Sequence, residues 1–114
     1  MKDIARVFDE EAAEYVPYAL KDGTPAGEIA LLRKRDHENK TLFVGFYRCD
    51  HVVEGVEEYE VDDSMYILAG EVHVTAADGT EFHLKPGDAA TFRCGERVTY
   101  RQEAGFKKFF VQSI

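Results

Sequence analysis

The sequence predicts an all-β protein, a small sandwich or barrel with little helix. Residues 66–95 contain short runs of alternating apolar side chains that are divided by turns containing glycine or proline. Gly70 interrupts the first run, Asp78-Gly79 reverses the chain, and Pro86-Gly87-Asp88 turns it again. Alternation with a period of two indicates half-buried strands, and turn signals at such short intervals are typical of antiparallel β architectures.

The other elements are predicted in chain order. A short helix is expected near residues 10–15, where Pro17 ends it, and residues 21–25 form a turn. A polar turn at 36–40 joins the first two strands. The sequence predicts nine strands, at residues 29–33, 42–49, 56–61, 64–69, 71–75, 81–84, 89–92, 98–103 and 106–111. We expect a single domain over residues 1–114, with N-terminal strands and an arm at 1–41 and the barrel core at 42–111.

Composition excludes several classes of function. The 114 residues are 45% hydrophobic, which is enough for one core. Acidic residues outnumber basic ones by 22 to 14, so the net charge of -8 predicts no binding to nucleic acid or to anionic membranes. No apolar run approaches the ~20 residues that span a bilayer, and the charged N-terminus does not resemble a secretory signal. We therefore expect a cytoplasmic protein in which Cys49 and Cys94 are free thiols.

The hairpin around Asp78-Gly79 has two chemically distinct faces. One face is expected to carry Val72, Val74, Phe82 and Leu84, and the other Glu71, His73, Glu81 and His83. His73 should lie opposite His83 on the outer surface. Two neighbouring imidazoles could bind a metal ion. Because no third ligand is in sight and the face is exposed, two solvated side chains are the favoured interpretation.

The order of these residues resembles the core of the cupin superfamily, the RmlC-like jelly-roll barrels that usually hold a metal. The shared features are Tyr66–Gly70 (YILAG), Val72–Thr75, Gly87-Asp88, Phe92-x-x-Gly95 and Lys107. They resemble most the ethanolamine-utilisation-protein-like and ureidoglycine-aminohydrolase-like single-domain cupins, over residues 42–111. The resemblance implies a single-domain cupin jelly-roll β-barrel, in a branch that often replaces the metal-binding histidines.

The resemblance also implies where metal ligands would lie. The family's histidine and glutamate positions fall on Glu57, Tyr59, Asp63 and Val98, and a different gap moves the first two to Val56 and Glu58. No histidine stands at any of them. Since three imidazoles and one carboxylate are the set that suits iron, manganese, nickel or zinc, we expect no cofactor. A divalent metal held by carboxylates or by His51 is the alternative.

The barrel interior is predicted to bind a small molecule. The catalytic candidates are Glu57, Tyr59, Asp63 and Lys107. The ligand-binding candidates are Met65, Phe92, Arg93, Val98, Tyr100 and Phe109. Two neighbouring carboxylates would raise one of their pKa values, so that one carboxyl could exchange protons. The last strand leaves two alternatives, because either Lys107 and Phe109 or Lys108 and Phe110 face the interior.

These residues predict proton-transfer chemistry on a small polar metabolite without a histidine-bound metal, as in an isomerase, hydrolase or lyase. A non-catalytic ligand-binding or sensing cupin is the first alternative, and a metalloenzyme with carboxylate ligands is the second. We also expect a homodimer, because a barrel of this size commonly buries further apolar surface by pairing and Tyr66 and Leu68 face outward.

Overall fold

A computed structural model describes residues 9–37 and 40–114, so predictions for residues 1–8 and for the middle of the turn at 36–40 lie outside the described residues. Ten strands form two antiparallel sheets. They are β1 (Val16–Ala19), β2 (Pro25–His37), β3 (Lys40–Cys49), β4 (Val53–Glu58), β5 (Asp62–Ala69), β6 (Val72–Ala76), β7 (Glu81–Leu84), β8 (Ala89–Phe92), β9 (Arg97–Gln102) and β10 (Phe106–Ser113). The predicted all-β fold is therefore confirmed.

Each sheet combines strands that are adjacent in the sequence with strands that are distant in it. The larger sheet has the order β1-β2-β3-β10-β5-β8 and the smaller one β4-β9-β6-β7. In the larger sheet β10 lies between β3 and β5, with Phe110 opposite Gly45 on one side and Met65 on the other. The last strand therefore holds the two halves of this sheet together.

The core lies between the facing surfaces of the sheets. Strict alternation on β5 buries Asp63, Met65 and Ile67, because successive side chains point to opposite faces of a strand. Val72 and Val74 of β6 meet them from the smaller sheet. Removal of this apolar surface from water is the main stabilising contribution in such a domain.

The helix predicted near residues 10–15 is wrong. These residues form a turn, in which the amide of Ala12 donates to the carbonyl of Asp9, and the chain then enters β1. Pro17 is tolerated there because β1 is an edge strand, so its missing amide removes no hydrogen bond from the interior of the sheet. The part of the chain that the structure describes contains no helix that could span a membrane.

The turn at Gly70 depends on that glycine. Its φ is +74°, in the left-handed region, and a Cβ atom there would lie 2.6 Å from the Cα of Phe106. Since Phe106 is buried in the core, the backbone of β10 cannot easily move away. Gly70, which interrupts the first apolar run, therefore marks a point where the backbone of this turn contacts the backbone of β10.

Candidate functional site

A cavity of about 150 Å³ lies between the two sheets. Its closed end is formed by Tyr47, Gln102 and Phe106. At the other end it adjoins a wider recess, and both spaces share Glu57 and Asp63 in their walls. A cavity of this size holds a molecule of about the size of benzene.

Asp63 places a carboxyl group at the mouth end of this cavity. It is only 3% exposed, yet its Oδ1 atom has no hydrogen-bond partner among residues 9–37 and 40–114. Its Oδ2 atom accepts a hydrogen bond of 2.8 Å from Nε2 of Gln112, the residue opposite it on β10. A buried acceptor without a partner is energetically unfavourable, so a ligand donor that reaches this oxygen would be stabilising.

Glu57 is the second carboxyl group in the cavity wall. It faces inward because β4 alternates, with Glu54, Val56 and Glu58 on the exposed side. Burial raises the pKa of Glu57, the nearby Lys108 lowers it, and Asp63 raises it again. The net effect is a raised pKa, so Glu57 holds a proton at a higher pH than a solvated glutamate does.

Three tyrosines surround the two carboxyl groups. Burial and the charges of Asp63 and Glu57 raise the pKa of Tyr59, and burial and the same two charges raise the pKa of Tyr18. Burial and Glu57 raise the pKa of Tyr100, whose ring lies over Gly55. The phenols therefore stay protonated at neutral pH and can act as hydrogen-bond donors.

Seven of the predicted site residues line the cavity. They are Glu57, Tyr59, Asp63, Met65, Phe92, Val98 and Tyr100. The ring of Tyr59, the residue that follows β4, stacks on that of Phe92 in β8 with 5.0 Å between centroids. The roles assigned to these residues stay predictions, while their positions agree with the alternation from which they were derived.

Three predicted residues lie elsewhere. Lys107 is on the outer face of β10, 3.5 Å from Glu10, and Phe109 packs against Phe46 on the same face. Arg93 is exposed in the turn after β8, where its amide donates to Glu96. The parity of β10 excludes the first two from the interior, and the alternative pair, Lys108 and Phe110, lines the cavity instead.

Several residues of the cavity wall were not predicted from the sequence. Tyr18 and Tyr47 form an edge-to-face pair with 6.0 Å between ring centroids, and Gln112 holds Asp63. The Tyr47 hydroxyl donates to the carbonyl of Ala26 at 2.6 Å and accepts from Gln102 at 2.8 Å. Gln112 could have been predicted, because it lies two positions after Phe110 on β10 and therefore faces the same side of the sheet. No signal in the sequence marked Tyr18.

The residues at the family's metal positions do not fit a histidine-bound metal. Glu57, Tyr59, Asp63 and Val98 supply two carboxyl groups, a phenol and an aliphatic side chain. None of the three histidines with described side chains, His51, His73 and His83, lines the cavity. Without imidazole donors this set lacks the nitrogen ligands that the common cupin metals use.

Histidines occur in two clusters outside the cavity. Cys49, Asp50 and His51 bring a thiol, a carboxyl group and an imidazole within 4.8 Å of one another, ligand types that zinc accepts. On the outer face of the smaller sheet His73 and His83 stack with 4.3 Å between centroids, as expected from their register, and His83 lies 2.9 Å from Glu71. Neither cluster contacts the two cavity carboxyl groups.

The sequence pattern of the EutQ-like cupin domain matches residues 49–110, which include β4 to β9 and most of β10. This segment contains both cavity carboxyl groups and Lys108. No protein with a curated description matches the sequence.

Solved structures with the same architecture are similar to this chain at low identity. A protein of unknown function from Rhizobium leguminosarum is 23% identical, with coverage of 96% of this chain and 97% of the other and a TM-score of 0.67. An RmlC-like cupin from Shewanella frigidimarina is 18% identical over 99% and 94% of the two chains, with a TM-score of 0.62. A DUF861 family protein from Thermotoga maritima is 32% identical, but over 53% of this chain and 68% of its own, with a TM-score of 0.50.

Proposed function

This chain belongs to the EutQ-like cupin domain family, and we propose that it acts on a small polar metabolite by proton transfer in the cavity between its sheets. The observation that carries the proposal is the buried, unpartnered Oδ1 atom of Asp63 in the wall of a cavity of about 150 Å³. A donor group of a bound molecule would satisfy that oxygen. The reaction is of the isomerase, hydrolase or lyase type.

The two carboxyl groups have different surroundings, and this difference supports different roles. Asp63 is held by Gln112, so it is suited to position a ligand donor. Glu57 forms no ion pair of 4.0 Å or less among the described residues, and burial raises its pKa toward the operating pH. Since proton transfer is most efficient when the pKa of the group lies near that pH, Glu57 is the proposed acid and base.

A histidine-bound metal has no part in this proposal, because the cavity offers no imidazole ligands. Lys107, which the sequence suggested as a catalytic group, is replaced by Lys108. The ammonium group of Lys108 lies 5.5 Å from the ring centroid of Tyr47, and Lys108 lines the cavity. From there it can stabilise negative charge that develops on a bound molecule.

The second candidate is a ligand-binding or sensing cupin without catalysis. It is favoured by the aromatic character of the walls, since such surfaces bind ligands whether or not chemistry follows. The cupin family contains enzymes as well as proteins that are not enzymes. The same residues would then only hold the ligand.

The experiment is a thermal-shift screen of small polar metabolites, followed by mass spectrometry of each stabilising compound after incubation with the protein. We expect a product from at least one compound, and we expect Glu57→Gln to lower its formation by about 10²-fold or more. The exposed variant Glu81→Gln is the matched control. Stabilisation without any product would contradict the proposal. So would product formation whose rate and affinity are changed by neither cavity substitution, Glu57→Gln or Asp63→Asn.

A further inference from the structure

We infer that the ligand of this cavity is a small organic cation, a protonated amine with a short apolar tail. The inference rests on the proposed function for its location, because it assigns the charge of the molecule that occupies the same cavity. It draws on three further observations: the charge of the mouth, the positions of the charged groups along the cavity, and the aromatic walls.

The recess at the mouth is acidic. Its walls contain six carboxyl groups, on Asp22, Glu54, Glu57, Glu58, Glu60 and Asp63, and two basic groups, on Lys21 and Arg97. Two of these carboxyl groups are already paired, Glu60 with Lys21 at 2.6 Å and Glu54 with Arg101, so four carboxyl groups and Arg97 remain in the recess. Carboxyl groups that converge on a cleft with low-dielectric walls raise the local concentration of cations and repel anions.

The single ammonium of the cavity lies away from Asp63. Both residues belong to the same pair of strands, but Lys108 is four positions from Gln112, the partner of Asp63, which is about 13 Å along a strand. Lys108 forms no ion pair with Asp63 or Glu57 in the part of the chain that the structure describes. With two carboxyl groups and one ammonium, the cavity has a formal charge of minus one, and one monovalent cation would neutralise it.

The walls already accommodate an ammonium group. Nζ of Lys108 lies 5.5 Å from the ring centroid of Tyr47 and 6.0 Å from that of Phe110, distances typical of cation–π contacts. Tyr59 and Phe92 provide similar rings near Asp63, and Phe92 is its partner on β8. A second ammonium could therefore bind with its charge at Asp63 Oδ1 and its tail against the aliphatic and aromatic side chains of the closed end.

The test compares three probes of equal length, pentylamine, pentan-1-ol and pentanoate, by NMR titration of the isotope-labelled protein. All three fit the cavity, and at neutral pH they are cationic, neutral and anionic. We expect pentylamine to bind at least about tenfold more tightly than pentan-1-ol, with shifts at cavity residues, and pentanoate to bind most weakly. Added salt should weaken the binding of pentylamine much more than that of pentan-1-ol.

Substitutions of single carboxyl groups test which of them causes the preference for a cationic ligand. Asp63→Asn should weaken pentylamine binding by about tenfold while pentan-1-ol changes by less than about threefold, which also shows that the cavity is intact. If that variant does not fold, Glu57→Gln should lower the preference in the same direction. Glu81→Gln, an exposed carboxyl group on β7, should leave all three affinities unchanged.

The inference is overturned if pentanoate binds as tightly as pentylamine, if the three probes bind equally, or if none binds. These outcomes are separate from those that test the proposed function. Cation binding without turnover of any metabolite would contradict catalysis and leave this inference standing. Turnover of a neutral or anionic metabolite in the cavity would support catalysis and contradict this inference.

Discussion

At the scale of single residues, the site depends on two carboxyl groups that lie in one cavity with different environments. Asp63 has one oxygen bound to Gln112 and one without a partner, while Glu57 is half-buried and forms no ion pair of 4.0 Å or less with any described residue. Two carboxyl groups in different surroundings commonly divide the roles of binding and proton transfer.

The raised pKa of Glu57 predicts how stability depends on pH. Between its ordinary value near 4.5 and its raised value in the folded chain, the folded state retains a proton that the unfolded state has lost. Stability contributed by this group therefore falls as the pH rises through that window. Glu57→Gln should remove the fall and increase the free energy of unfolding at neutral pH by about 1 kcal/mol or less, because the side chain is only half-buried.

Thermal denaturation of both proteins across pH 4 to 8 measures this effect. The neighbouring variant Glu58→Gln, on the exposed side of β4, is the control and should follow the wild-type profile. A Glu57→Gln protein that is less stable than the wild type at neutral pH would contradict the account, since it would mean that the ionised carboxylate stabilises the fold.

The interior residues that could be predicted from the sequence are those on strands with one buried face. Alternation from Asp63 through Met65 to Ile67 is unambiguous, so their orientation followed directly. On β10 apolar residues occupy both parities, because Phe110 faces the core while Phe109 packs against Phe46 on the outer face. The sequence therefore left Lys107 and Lys108 as alternatives, and only tertiary packing selects Lys108.

At the scale of elements, the turns were the main feature from which the fold was predicted. Among the turn glycines, Gly70 lies closest to another backbone segment, that of Phe106. Gly70→Ala should lower the free energy of unfolding by about 2 to 5 kcal/mol, because it combines a left-handed backbone with a clash against the backbone of Phe106. Chemical denaturation with urea measures the difference.

Gly79→Ala is the matched control for this substitution. Gly79 also has a positive φ, of +88°, but a Cβ atom there would meet nothing within 4 Å. It should therefore show only the backbone contribution, about 1 to 2 kcal/mol. Equal losses in the two variants would show that the contact with Phe106 does not contribute.

Strand existence was easier to predict than strand ends. β1 was missed because Pro17 was taken as the end of a helix, whereas an edge strand accepts proline. β2 extends from Pro25 to His37, far beyond the predicted residues 29–33, since its pairing with β3 continues along a polar hairpin that has no apolar alternation. Backbone pairing with the neighbouring strand, and not side-chain alternation, decides these boundaries.

At the scale of the whole molecule, we propose that the chain forms a homodimer through the outer face of its larger sheet. A shallow groove there is lined mainly by apolar side chains, including Tyr66, Phe109 and Val111, and Tyr66 is 46% exposed. Tyr66→Lys should shift the mass measured by light scattering from dimer to monomer at micromolar concentration. A wild-type mass that equals the monomer at every concentration would refute the proposal.

The whole-molecule account also predicts that ligand binding does not require a transition metal. Treatment with a chelator should leave the affinity of a cavity ligand unchanged. Zinc that copurifies should be lost in His51→Ala, because Cys49, Asp50 and His51 form a ligand cluster outside the cavity. More than about a tenth of an equivalent of a metal that persists in His51→Ala and disappears in Asp63→Asn would contradict the account.

The most direct test of the central claim is a crystal structure of the protein with pentylamine. The account predicts density for the amine between the two sheets, with its nitrogen within hydrogen-bond distance of Asp63 Oδ1 and its tail directed toward Tyr47 and Phe106. An amine nitrogen that faces away from Asp63, or an ion held by nitrogen ligands in that cavity, would contradict it.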